Sequence, residues 1–141
     1  MGRTSTAQVE RAKRLLAHEG DSGSSSAECA AAAWRLYEKL NARLAPLLGS
    51  VGVEALFVRS AKLAQNEFGS LAEVATPDGM KKLGAGLQGL TPGEATRVAA
   101  GLFGTFLELM TTFIGERLTI LILRSAWPTI EDTTTPRETK K

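Results

Sequence analysis

Side chains that could do chemistry are scarce in this sequence. The chain has one cysteine, Cys29, and one histidine, His18. Cys29 falls in the alanine-rich start of a helical pattern, where a thiol serves as a small packing group. A serine or cysteine nucleophile needs a base within hydrogen-bond reach, but His18 lies beside Glu19 and Asp21 at a helix end, where it should be exposed and favourable to the helix dipole when protonated. We therefore predict that the chain is not an enzyme and has no catalytic residues.

The carboxylates do not indicate a metal or cofactor site. A di-iron helical bundle needs several inward carboxylates and Glu-x-x-His motifs, which one histidine cannot supply. Glu108 stands out because it lies at the centre of the most apolar segment. If Glu108 faces the core it needs a partner, and Arg59, Arg97 or Arg117 could provide one; if it faces outward it is a solvated side chain. We predict no bound metal and no cofactor.

Binding of phosphate or nucleic acid is not indicated either. The string GAGLQG at residues 84–89 resembles a phosphate-binding glycine loop only superficially. The dinucleotide fingerprint requires a preceding strand, and the P-loop requires Gly-Lys-Ser/Thr; both are missing here. The chain carries 17 basic and 15 acidic side chains, a net charge of +2, which is too even for a strong nucleic-acid footprint.

Length and composition are typical of one globular domain. The chain has 141 residues, of which 43% are apolar and 23% charged, enough to bury about two thirds of the unfolded surface. A single cysteine cannot form an internal disulfide, and the N-terminus lacks the apolar core of a secretory signal. We therefore expect a cytoplasmic protein.

The segment from Thr91 to Pro128 organises the chain. Thr91 and Glu94 have the spacing of a capping box, and Pro92 fits the first helical turn. Apolar residues then recur at helical spacing: Val98, Leu102, Phe103, Phe106, Leu109, Met110, Phe113 and Ile114. Beyond Gly115, residues 118–123 are apolar almost all round, which predicts either a central helix or a second apolar face presented to another chain.

The remaining segments also have helical patterns. A weakly amphipathic helix occupies residues 6–19, and a second begins at the capping box of Ser25 and Glu28 and ends near Leu48. Gly49 can adopt a left-handed conformation, so the third helix, from Ser50, should pair with the second as a hairpin or a bent pair. The fourth, over residues 77–90, contains four glycines that cost about 0.8–1 kcal/mol each. We predict that these glycines allow close helix contact; alternatively, they mark a segment that moves on binding.

The predicted fold is all-α: a single-domain bundle of four to six helices with a long C-terminal helix, either continuous or broken at Gly115. Residues 1–25 should form a mobile N-terminal helix and a Gly/Ser linker, 26–128 the bundle, and 129–141 a disordered polar tail. Val98 to Ile114 is apolar, but it is short for a membrane span and carries Glu108 at its centre. We interpret it as a buried helix and do not expect contact with a membrane.

The leading functional hypothesis is a small non-enzymatic regulator or adaptor that acts through protein–protein contacts as a homodimer. The candidate dimer face comprises the apolar residues of the last segment: Phe106, Met110, Phe113, Leu118, Leu121, Leu123 and Trp127. An alternative is a sensor that binds a small molecule between the long C-terminal helix and helix 77–90, in a pocket lined by Trp34, Tyr37, Leu83, Leu87 and Glu108. A helical DNA-binding regulator is a weaker alternative, since the basic residues are dispersed.

Overall fold

Five helices make up the fold, as seen in a computed structural model that describes residues 6–20, 25–66, 68 and 79–127. In chain order they are α1 (Thr6–Glu19), α2 (Ser26–Ala64), α3 (Gly79–Gln88), α4 (Pro92–Ile114) and α5 (Glu116–Ala126). These ranges contain no strand, which confirms the predicted all-α bundle of four to six helices. The Gly/Ser linker at 21–24 and the tail from 128 onward lie outside the described residues.

Helix α4 lies at the centre of the bundle. It begins as predicted: the Thr91 hydroxyl accepts a hydrogen bond from the Glu94 backbone N–H at 3.2 Å, and Pro92 occupies the first turn. Every residue from 98 to 107 is buried, because α1 and α2 pack against this helix from different sides. An amphipathic helix would leave one face in water, so burial all round identifies α4 as the core element.

Helix α2 bends sharply at Gly49, whose φ of 80° and ψ of 153° are not helical. The bend divides α2 into a first arm (residues 26–48) and a second arm (residues 50–64). The rings of Tyr37 and Phe57 lie 5.2 Å apart in an edge-to-face contact, whereas twenty residues of straight helix would separate them by about 30 Å. The second arm therefore folds back on the first, which confirms the predicted pairing.

Helix α1 packs directly on the bundle. Ala12, Leu15 and Leu16 are fully buried in the same cluster as residues of α2 and α4. A Cβ added at Gly104 of α4 would lie 3.1 Å from the Val9 Cα, so the α1 backbone passes close to α4 at this glycine. The predicted division at residue 25, with a mobile first helix, stays a prediction, but α1 contributes to the common core.

Glycines allow close packing in α4 but not in α3. A Cβ on Gly101 would overlap the ring of Phe68, so close approach of the two elements requires glycine here. Gly84 and Gly86 of α3 have open space where a Cβ would stand. The prediction that the α3 glycines serve close helix contact is therefore wrong for these two.

The long C-terminal helix is broken. Gly115, with φ 90° and ψ 156°, ends α4 and precedes α5. Gly115 and Gly49 are the residues with positive φ in the described part of the chain, and glycine has no Cβ to oppose that conformation. The apolar sequence on both sides of Gly115 therefore forms two helices that point in different directions.

Candidate interaction surface

Helix α5 has one buried and one exposed face, although its sequence is apolar almost all round. Thr119, Ile122 and Leu123 face the bundle, while Leu118 and Leu121 are 36% and 52% exposed. Phe113, two residues before the break at Gly115, is 63% exposed. These three side chains, Phe113, Leu118 and Leu121, are called the corner face below. The exposure of Leu118 and Leu121 is a consequence of helical spacing, since Thr119, Ile122 and Leu123 occupy the inward positions of α5.

The predicted dimer face is divided by the structure. Phe106, Met110, Leu123 and Trp127 are at most 1% exposed, so these four are core residues and not part of a surface. They were predicted as part of the dimer face because the apolar pattern cannot show which side of a helix is buried when both sides are apolar. Only the corner face is left as a candidate contact.

The residues of the predicted ligand pocket lie in different environments in the described part of the chain. Leu83 and Leu87 are 1% exposed and belong to the hydrophobic core. Trp34 is exposed on the first arm of α2, whereas Tyr37, one turn later, is half-buried against Phe57. Burial raises the pKa of Tyr37, and the nearby carboxylate of Glu54 raises it further, so the phenol stays protonated at neutral pH. Glu108 is partly buried on α4.

A cluster that the sequence did not reveal joins the ends of three helices. Trp127, just after α5, is fully buried, and its indole N–H donates a hydrogen bond to Oε2 of Glu19 at the end of α1. Lys39 of α2 contacts the same oxygen at 2.7 Å, and its ammonium lies 5.4 Å from the centre of the Trp127 ring. No local signal could have predicted this contact, because Glu19 and Trp127 are 108 residues apart in the chain.

This Glu19–Lys39–Trp127 cluster is polar and partly closed to solvent. The Glu19 side chain is only 5% exposed, while that of Lys39 is 43% exposed. Burial disfavours the charged carboxylate, but the hydrogen bonds from Lys39 and Trp127 outweigh it and lower the pKa of Glu19 below its ordinary value. Arg35 adds a contact by donating to the Glu19 backbone carbonyl at 2.9 Å. The cluster therefore connects the end of α1 and the residue after α5 to α2, and it is called the clamp below.

Two open depressions lie on the surface of α2. One, of about 430 Å³, follows the outer face of the second arm and is lined by Val51, Glu54, Ala55, Val58, Arg59 and Lys62. The other, of about 200 Å³, lies between α2 and the end of α5 and is lined by Lys39, Ala42, Arg43 and Ala126. Neither contains a histidine or cysteine that would suggest catalysis.

The single thiol of the chain lies in the core. Cys29 is fully buried, with its sulfur 4.0 Å from the Thr96 hydroxyl, and burial raises the pKa of its thiol. A reactive cysteine needs the thiolate form and access to solvent, so the environment of Cys29 opposes reactivity. No group of three or more His, Cys, Asp or Glu side chains suited to a metal ion occurs in the described part of the chain.

Comparisons with known proteins assign no relative. No family model, no curated protein and no solved structure matches the chain. By length and composition, α2 and α4 are apolar enough to cross a membrane, but 61% of the apolar window in α4 is buried within the bundle. A core helix meets the same criteria.

Proposed function

We propose that the chain is a small non-enzymatic regulator or adaptor that acts through protein–protein contacts as a homodimer. The observation that carries the proposal is the corner face, where Phe113, Leu118 and Leu121 present large apolar side chains to solvent. Contiguous apolar patches on soluble proteins usually mark contact sites. The buried thiol of Cys29, whose pKa is raised by burial, removes cysteine-based catalysis at this residue from consideration.

Native mass spectrometry of the purified protein tests the proposal directly, because it reports the number of subunits and any retained small molecule together. A dimer without added mass is the expected result. A monomer over the whole concentration range would contradict the homodimer. A reproducible added mass would replace the regulator by the ligand-binding sensor.

Two neighbouring leucines provide a matched test of the face. Leu121 is 52% exposed, and Leu123 is fully buried. Leu121→Glu should give a folded monomer, since a charged side chain at a dimer contact opposes association. Leu123→Glu should abolish cooperative unfolding, because a carboxylate cannot be buried without a partner. If Leu121→Glu also fails to fold, Leu121 belongs to the core and the corner face is not a contact surface.

A further inference from the structure

The bend of α2 and the corner between α4 and α5 lie at the same end of the bundle. Cys29 of the first arm contacts Thr96 of α4. Further along, the Phe57 ring lies 5.2 Å from Tyr37 and 6.3 Å from Phe103. Tyr37 follows Cys29 by eight residues and Phe103 follows Thr96 by seven, so the first arm and α4 run in the same direction and nearly in step. Both helices rise by about 1.5 Å per residue, which places their terminal glycines at a similar level.

Helix α5 begins at this end and turns back along the first arm of α2. Arg43 donates a hydrogen bond to the Ser125 carbonyl at 3.4 Å, and Lys39 lies over the ring of Trp127. The end of α5 is therefore level with the middle of the first arm. Leu118 and Leu121, in the first half of α5, lie nearer to the bend.

Apolar exposure concentrates at this end. Leu47 and Val51, two residues before and two after Gly49, are 53% and 77% exposed. With the corner face they account for five of the six large apolar side chains that are exposed among the described residues; Trp34 is the exception. The five residues, Leu47, Val51, Phe113, Leu118 and Leu121, are called the bend end.

The bend end is large enough to form the apolar centre of a homodimer interface. Its five residues are between 36% and 77% exposed, which amounts to an exposed area on the order of 500 Å². A standard interface buries about 800 Å² on each partner, and homodimer interfaces are about 65% apolar. The bend end could therefore form the apolar centre of one such interface.

Charges of both signs lie beside the bend end, as a contact between two copies allows. The exposed charged residues within a turn of its apolar side chains are Glu54, Glu116, Arg43, Arg117 and Arg124. A two-fold interface brings the same patch of both copies together, so carboxylates of one copy can face arginines of the other. An anionic membrane instead attracts a surface of mainly basic residues around the apolar side chains.

We propose that a second copy of the chain covers the bend end through a two-fold axis, so that Leu47 and Val51 of α2 share the interface with the corner face. This inference rests on the proposed homodimer. It adds Leu47 and Val51, which the sequence analysis did not include in the candidate dimer face. Leu47 and Val51 are exposed, so charged substitutions there should leave the fold intact.

Sedimentation equilibrium of the full chain tests the inference with Leu47→Glu, Val51→Glu and the control Trp34→Glu. Circular dichroism establishes that each variant is folded. We expect the dimer dissociation constant to rise at least about tenfold for the two bend variants and to be unchanged for the control.

The results of this experiment distinguish failure of the inference from failure of the proposed homodimer. If the wild type dimerises and both bend variants dimerise equally well, the inference is wrong while the proposed homodimer stands. If the wild type is monomeric at every concentration, both are wrong. A monomer that binds anionic vesicles and loses this binding through the same substitutions would identify the bend end as a membrane contact and overturn the inference.

Discussion

Replacing Glu19 with leucine should destabilise the fold by about 1–4 kcal/mol, because its carboxylate satisfies a donor that has been removed from water. The indole N–H of Trp127 is fully buried and donates to Glu19. Leaving a buried donor without a partner costs about 1–3 kcal/mol. The contact with Lys39 at 2.7 Å adds at most about 1 kcal/mol, since the lysine side chain is nearly half exposed and its charge is screened by solvent.

A graded series separates the hydrogen bond from the charge. Glu19→Gln keeps a carbonyl oxygen for the indole N–H and loses only the charge, so it should cost about 1 kcal/mol. Trp127→Phe removes the donor, after which Glu19→Leu no longer creates an unsatisfied group. The double variant should therefore be about 1–2 kcal/mol more stable than the sum of the two single effects predicts.

The stabilisation by Glu19 should also depend on pH. Its pKa in the fold lies below the ordinary value of 4.5, so the unfolded chain takes up a proton before the folded chain does. The contribution of the charge is complete above the unfolded pKa and is lost as the pH falls through the lower, folded pKa. The difference in unfolding free energy between wild type and Glu19→Gln should be constant near neutrality and shrink in acid.

Urea denaturation followed by circular dichroism measures these differences at neutral and acidic pH. Trp127 fluorescence should shift to longer wavelength in Glu19→Leu only if the end of α5 loosens. Equal stabilities of Glu19→Leu and Glu19→Gln at neutral pH, together with additive effects in the double variant, would refute the reasoning. Such a result would mean that the buried indole does not depend on the carboxylate.

Further predictions follow from packing. Gly101→Ala should destabilise the fold by about 1–3 kcal/mol, because the new methyl group overlaps the Phe68 ring. Gly86→Ala has open space for its methyl group and should stabilise α3 by about 0.5–1 kcal/mol. Thermal unfolding of the two variants should therefore shift in opposite directions. Thr119→Val should stabilise by about 1 kcal/mol in the same assay, since the buried Thr119 hydroxyl has no hydrogen-bond partner among the described residues. The Cys29 thiol should react with a thiol reagent only as fast as the fold opens, and a fast reaction in native buffer would contradict its burial.

The helix boundaries could be predicted because their causes are local. The hydroxyl of Ser25 accepts from the Glu28 N–H at 3.0 Å, as that of Thr91 does from Glu94, and both pairs are visible in the sequence at a spacing of three. Gly49 interrupts a helical pattern, and the predicted hairpin follows from that one residue. Such features depend on the backbone of neighbouring residues and can therefore be recognised in a short stretch of sequence.

The sequence could not predict which residues of α5 are buried and which are exposed, because this depends on how α5 packs against distant elements. Leu121 and Leu123 are chemically identical and two residues apart, yet one is exposed and the other fully buried. The direction in which α5 leaves Gly115 decides between them. The Glu19–Trp127 contact was hidden for the same reason, since it depends on how α1 and α5 both dock on α2.

The clamp and the bend end are coupled through α5. Gly115 sets the direction of the helix at its start, while the Trp127 contact with Glu19 and the Arg43 contact with Ser125 hold its end. A helix of eleven residues that is fixed at both ends has little freedom to rotate about its axis. The buried face of α5 therefore stays buried, and its exposed face stays exposed. A buried polar contact is a poor source of stability but can select one arrangement among several. In this chain the arrangement selected is the one that leaves Leu118 and Leu121 exposed and Leu123 buried.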